Sequence, residues 1–181
     1  MLVAEVSTPL KLNLGSGSTK MDGFTGVDAF PDSGADVIHD LLVYPWPWDN
    51  DSVDEIHASH FLEHLSGLER IPFFNELWRV MKAGAQATFI TPYWASMRAI
   101  QDPTHKWPPV CESFYHYLSK EWRTSQELDH YLGLTCDFQV QAPGYNVGQP
   151  WSMRSIEARN FALAYHINVA ADLHQVLIKL A

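Results

Sequence analysis

The residues best suited to chemistry begin at Gly15-Ser16-Gly17, which stops the short apolar run Lys11-Leu12-Asn13-Leu14. A strand running into glycines lets a ligand come close to the backbone, because no Cβ stands in the way. In open α/β sheets ligands sit there, at the carboxyl ends of the strands. Asp28 ends a second apolar segment, residues 24–28. A carboxylate at that point can accept hydrogen bonds from both ribose hydroxyls of an adenosine. The structural alternatives are a tight turn and an ordinary strand-end acid.

Two histidine-bearing clusters follow. His60-Phe61-Leu62-Glu63-His64 matches H-x-x-E-H, a zinc-peptidase pattern. On a helix, His60 and His64 would share a face and bind one zinc, with Glu63 as base. Such a site also needs a downstream ligand, and no sequence feature singles one out, so the expectation is no bound metal. The second cluster is Asp102-Pro103-Thr104-His105-Lys106-Trp107. An imidazole is suited to removing a hydroxyl proton near neutral pH. His105 is therefore the candidate general base, oriented by Asp102, with Pro103 limiting the loop. Its alternative is a loop histidine stacked on Trp107. Nearby, Tyr93-Trp94 and Phe114-Tyr115-His116-Tyr117 offer aromatic walls, compatible with a glycan.

These residues need a frame. Short strands are predicted at residues 11–14, 24–28, 36–39, 53–59 and 85–91, the last stopped by Pro92. Leu68, Ile71, Phe74, Leu77, Trp78 and Met81 recur at helical spacing on one face. Ser66 with Glu69 reads as a capping box, while Pro72 favours a start nearer Arg70. Gly84 reads as the helix stop. Residues 112–132 read as a weaker helix, and residues 138–142 and 161–180 as the last strands. The Pro/Trp-rich residues 92–109 read as a lid or substrate wall. Strands interleaved with a strong helix predict an α/β fold.

The succession Leu12-Asn13-Leu14-Gly15-Ser16-Gly17, Gly26-Val27-Asp28, Asp40-Leu41, residues 52–65 and residues 76–84 resembles the class I S-adenosylmethionine-dependent methyltransferases. It is most similar to small, type-11-like members often associated with glycan genes. The resemblance implies a Rossmann-like fold with a mostly parallel sheet, and S-adenosylmethionine as cofactor. It implies that Gly15, Ser16 and Gly17 pass beneath the methionine part, with Asn13 near the amino group. Asp28 would hold the ribose, Ala29 and Phe30 would lie beside the adenine, and Asp40 and Leu41 would bound it. Ser59 and His60 would face the sulfonium. Where the family often has an acid, Asn13 is neutral. Only residues 16–23 separate the first two strands, too few for the usual crossover helix. That helix is expected to be reduced. These two departures support the rival reading, a non-catalytic methyltransferase fold that binds or interacts.

The expected organisation is a single domain over residues 1–181. Residues 11–91 would form its cofactor-binding half, and residues 92–181 would carry the acceptor-side loop, helix and last strands. The 12 basic and 21 acidic residues give a net charge of −9, which opposes binding to phosphate backbones. No nucleic-acid partner is expected, and the partner read from the sequence is a small-molecule or glycan acceptor. The 2 cysteines, Cys111 and Cys136, form no C-x-x-C pair, so reduced thiols in the cytoplasm are expected. The first residues lack the long apolar run of a signal peptide. No stretch approaches a membrane span.

Overall fold

Each short apolar run ends where a turn residue forces the chain back, and the sheet is built from those runs. The computed structural model describes residues 8–130 and 132–181. Residues 1–7, on which the signal-peptide reading falls, lie outside the described residues. So does Tyr131, in the stretch predicted as a weaker helix.

Strands β1 (Lys11–Leu14), β2 (Thr25–Asp28), β3 (Val37–Ile38), β4 (Val53–Ser59) and β5 (Met81–Pro92) run parallel in the order β3-β2-β1-β4-β5. The chain then adds β6 (Phe138–Val140), β7 (Gly144–Val147) and β8 (Ala170–Lys179). β8 lies antiparallel beside β5, and β6 and β7 pair antiparallel with β8. The result is the expected α/β sheet, with an antiparallel edge on the β5 side.

Residue alternation gives the sheet two unlike faces. Leu12, Leu14, Val27, Ile56, Ala58, Ala87 and Phe89 are buried on one face, against Phe73, Phe74, Leu77 and Val80 of α1 (Gly67–Val80). Full burial of each large apolar side chain contributes about 1.5–3 kcal/mol. The other face is polar. There Lys11 pairs with Glu55 at 2.6 Å, and Asn13 lies 3.0 Å from His57. As expected, no helix stands between β1 and β2. Among the described residues every α-helix comes after β4.

Helix α1 starts at Gly67, earlier than Pro72 alone suggests. Glu69 N–H donates to Ser66 Oγ (3.4 Å), and Ser66 N–H donates to a Glu69 carboxylate oxygen (2.7 Å), a complete capping box. Pro72 deprives the Leu68 carbonyl of its helical donor. Leu68 is exposed, so water can supply the partner. The C-terminal end also differs from the sequence reading. Met81 already belongs to β5, and Gly84 (φ +79°) lies in an irregular stretch of that strand, not at a helix stop.

The remaining helices are short: α2 (Met97–Ile100), α3 (Glu112–His116), α4 (Lys120–Ser125) and α5 (Ile156–Tyr165). The predicted helix over residues 112–132 is thus broken, and Ser119 caps its second piece by accepting from Trp122 N–H. The predicted strand over residues 161–180 is corrected more strongly. Its start is the end of α5, a helix capped by Ser155 and rich in alanine, and only Ala170–Lys179 is strand. Cys111 and Cys136 are both free, and burial pushes the Cys136 thiol up to about 12. Among the described residues no helix is long and apolar enough to cross a membrane.

Candidate functional site

The glycine turn after β1 is shaped by two requirements. Gly15 takes φ +62°, and a Cβ there would stand 2.5 Å from the Phe61 ring. Gly17 takes φ +51°, and a Cβ there would meet nothing within 4 Å, so open space lies above it. Ser16 N–H donates to Val27 O (3.1 Å), clamping the turn to β2. Asp28, at the end of β2, accepts from Gly17 N–H (2.8 Å) on Oδ2 and from Phe30 N–H (2.9 Å) on Oδ1. Each of its oxygens keeps acceptor capacity for a ligand.

These groups border a cavity of about 300 Å³ at the carboxyl ends of β1–β4. Gly15, Gly17, Asp28, Ala29, Phe30, Asp40, Leu41 and His60 all line it. The size falls at the lower end of small-molecule sites. Asp40 folds the chain after β3 by accepting from Leu42 N–H (2.9 Å), and Trp46 Nε1–H fixes the Leu41 carbonyl (3.0 Å). Asn13, Ser16 and Ser59 are not brought to the cavity. Asn13 is buried on the polar sheet face, where its side chain is engaged by His57. The Ser16 side chain is buried, its hydroxyl bonded to Gly17 O (3.2 Å).

His60 enters the cavity through an unusual backbone. Its φ is +54°, and its N–H donates to Ile90 O (2.8 Å) as the chain leaves β4. Left-handed non-glycine residues are uncommon and cluster at functional sites. Nδ1 lies 3.2 Å from Glu63 Oε1, and Nε2 lies 3.7 Å from Asp172 Oδ1. The hydrogen bond to Glu63, reinforced by the charges of Glu63 and Asp172, holds the imidazole pKa above its ordinary value against burial and Arg98. Asp172 is itself buried, 3.6 Å from Arg98, and accepts from Asn146 (3.2 Å).

The helix needed by the H-x-x-E-H peptidase pattern is absent. His60 precedes a short 3-10 turn, Leu62–His64, so His60 and His64 share no helical face. His105 and Asp102 also stand elsewhere. They line a separate cavity of about 190 Å³ with Lys106 and Trp107. His105 is directed to Ala99 O (3.1 Å) and packs against His64, with ring centroids 5.1 Å apart. The Asp102 carboxylate binds Thr104 and not the His105 ring; His105 meets Asp102 only through its backbone N–H on Asp102 O (3.2 Å).

The expected lid over residues 92–109 is pinned at its far end. Lys106 N–H donates to Glu63 O (2.8 Å), and Arg70 donates to Pro108 O (2.8 Å). Its first part forms, with α5, an apolar cavity of about 320 Å³ between Trp94, Met97, Ile100, Leu163 and Ile167. Sequence reasoning missed Phe61, His64 and Leu65 as cavity residues, although they lie inside a motif it singled out. It missed Arg98 and Asp172 because nothing local marks them; pairing of β8 with β5 brings Asp172 opposite Pro92.

No protein-family model matches the sequence, and no curated protein does. Solved structures do match in fold. A SAM-dependent methyltransferase from Archaeoglobus fulgidus superposes with TM-score 0.65 at 19% identity, over 96% of this chain and 87% of that one. A SAM-dependent methyltransferase from Methanosarcina mazei gives 0.57 at 14% identity, over 94% and 92%. Geranyl diphosphate C-methyltransferase from Streptomyces coelicolor gives 0.54 at 11%, over 96% and 71%. Strand order, the glycine turn and these superpositions agree that the chain has the fold of the S-adenosylmethionine-dependent methyltransferases.

Proposed function

We propose that the cavity at the ends of β1–β4 binds S-adenosylmethionine and that the chain transfers its methyl group to a small-molecule or glycan acceptor. The observation that carries this reading is that Asp28, bonded to Gly17 N–H, lines the same cavity as the open space left by Gly17. The residues fit the group: a glycine turn without side chains, a carboxylate with spare acceptor capacity, and the apolar Ala29, Phe30 and Leu41 for a flat base. Asp28 and Asp40 also give the cavity a negative character that suits a cationic ligand. When bound, the cofactor supplies an electrophilic methyl group.

The chain's own residues then have separate tasks. Asp28 binds the ribose. Phe61 fills the space under Gly15 and fixes the turn. His60, which lines the cavity and is held between Glu63 and Asp172, takes the acid–base role the sequence suggested for His105. Trp94, Met97 and Ile100 wall the acceptor side.

Titration calorimetry with S-adenosylmethionine and its demethylated product tests the reading. Saturable binding at one site per chain is expected, and no binding to either refutes it. A screen of glycans and small hydroxyl- or amine-bearing molecules for methyl transfer follows. The engagement by His57 of the neutral Asn13, at the position where the resemblance implies an acid, favours a second reading: a fold that binds without catalysis. Binding with no transfer to any acceptor would support that second reading.

A further inference from the structure

We infer that Glu63, His64 and His105 form a binding site for a divalent transition-metal ion of the zinc class. One ligand atom from each residue lies within 4.8 Å of the others. Two imidazoles and one carboxylate are a donor set suited to zinc, with room left for water or another oxygen.

The surroundings prepare these side chains. Carbonyl oxygens only accept, so the contact from His105 Nδ1 to Ala99 O (3.1 Å) makes Nδ1 the protonated nitrogen. His64 Nδ1 lies 3.4 Å from Thr104 O and 3.2 Å from Thr104 Oγ1, which fixes the same tautomer. Nε2 of each ring therefore carries the lone pair. Thr104 Oγ1–H in turn donates to Asp102 Oδ1 (2.7 Å), completing a carboxylate–hydroxyl–imidazole chain. Partners of this kind orient metal-binding histidines and raise their basicity.

Glu63 gives the independent sign. Its side chain is buried at 4% exposure, Oε1 faces His60, and Oε2 is buried without any hydrogen-bond partner. An unpartnered buried carboxylate oxygen is costly unless something completes it. A cation with His64 and His105 as further ligands does so. Donors around a tetrahedral zinc stand about 3.4 Å apart, so the trio closes by roughly an ångström on binding.

The pinned loop explains how distant residues meet. Lys106 N–H on Glu63 O and Arg70 on Pro108 O hold residues 102–108 against the turn that carries Glu63 and His64. His105 is thus the downstream ligand that the H-x-x-E-H pattern lacked, and it pairs with His64, not with His60. His64 also borders the cofactor cavity, so the site adjoins it, but the readout is metal content and does not depend on cofactor binding.

Chelator-treated protein is dialysed against zinc and its metal counted, and cobalt replaces zinc for visible absorption. One ion per chain is expected, with a cobalt spectrum of tetrahedral type. His105→Ala and, separately, Glu63→Gln should weaken zinc binding at least tenfold, while His116→Ala leaves it unchanged. Zinc should raise the melting temperature of the wild type but not of His105→Ala. Circular dichroism confirms that each variant is folded. If Glu63→Gln does not fold, the His105→Ala and His116→Ala pair decides. No stoichiometric zinc in the wild type, or equal affinity in His105→Ala, overturns the proposal. So does loss of zinc in His60→Ala with retention in His105→Ala.

Discussion

Replacing Asp28 with alanine separates the binding reading from a merely structural one. In the structure the carboxylate has two backbone donors, Gly17 N–H at 2.8 Å and Phe30 N–H at 2.9 Å. Removing it frees both, and water replaces it in part, so stability should fall by about 1–3 kcal/mol. Cofactor binding should suffer separately. A hydrogen bond from a ribose hydroxyl to a charged acceptor contributes about 1.5–3 kcal/mol. At about 1.4 kcal/mol per tenfold, affinity for S-adenosylhomocysteine should drop roughly ten- to hundredfold. Titration calorimetry well below the melting temperature of each variant measures this, with melting followed by circular dichroism. Asp40→Ala is the comparator, because its carboxylate supports one backbone bond to Leu42, and it should lose less. A folded Asp28→Ala protein with wild-type affinity would refute the ribose assignment. An affinity loss that merely tracks lost folding would assign Asp28 to the turn alone.

Other substitutions probe the same cradle and its support. Gly17→Ala should cost about 1–2 kcal/mol for its left-handed backbone, yet reduce cofactor affinity at least tenfold, since the methyl enters the open space; melting and calorimetry separate the two effects. Gly15→Ala should lower stability further, by about 2–4 kcal/mol, because the new Cβ drives into Phe61; chemical denaturation measures it. Lys106, and then Ser66, hold the Glu69 carboxyl down at about 2, against an ordinary 4.5. A lowered folded-state pKa stabilises above the ordinary value and is lost as pH falls. Wild-type melting should therefore decline between pH 4.5 and 2 more steeply than that of Glu69→Gln, by about 0.5 kcal/mol given the exposure of the pair.

The parallel half of the fold was legible because its signals are local. The runs at residues 11–14 and 53–59 are apolar segments stopped by glycine or by a polar turn, and α1 has a capping box and apolar positions at helical spacing. Its buried side is nonetheless Phe73, Phe74, Leu77 and Val80, while Leu68 lies exposed and Met81 joins the next strand. The antiparallel edge was not legible in the same way. Residues 161–165 carry Phe, Ala, Leu and Tyr, which suit a strand or a helix, and only the Ser155 cap decides the matter. The site divides along the same line. Gly15, Gly17 and Asp28 line the cavity because each sits at a strand end, a position the sequence marks locally. Asn13 does not, since the motif fixes its position but β4 decides its partner. Asp172 and His105 acquire meaning from pairings across more than forty residues, between β8 and the end of β4 and between the pinned loop and His64.

The missing first crossover helix has a consequence for binding. A helix after a glycine turn directs free N–H groups and a positive dipole at an anionic ligand. Here turns take its place, and side-chain carboxylates hold the chain instead. Asp28 holds Gly17. Asp36 accepts from Gly26 N–H (2.7 Å) and from Lys20 (2.6 Å), tying the turn to β2. The bonds to Lys20 and Gly26 keep the Asp36 carboxyl below its ordinary range. The cradle is therefore fastened by negative groups, and the same groups set its charge. That favours a ligand with cationic character over one recognised by phosphate. It also couples the order of the turn to ligand affinity, because acid that protonates Asp36 unfastens the turn on which Gly17 presents its open face.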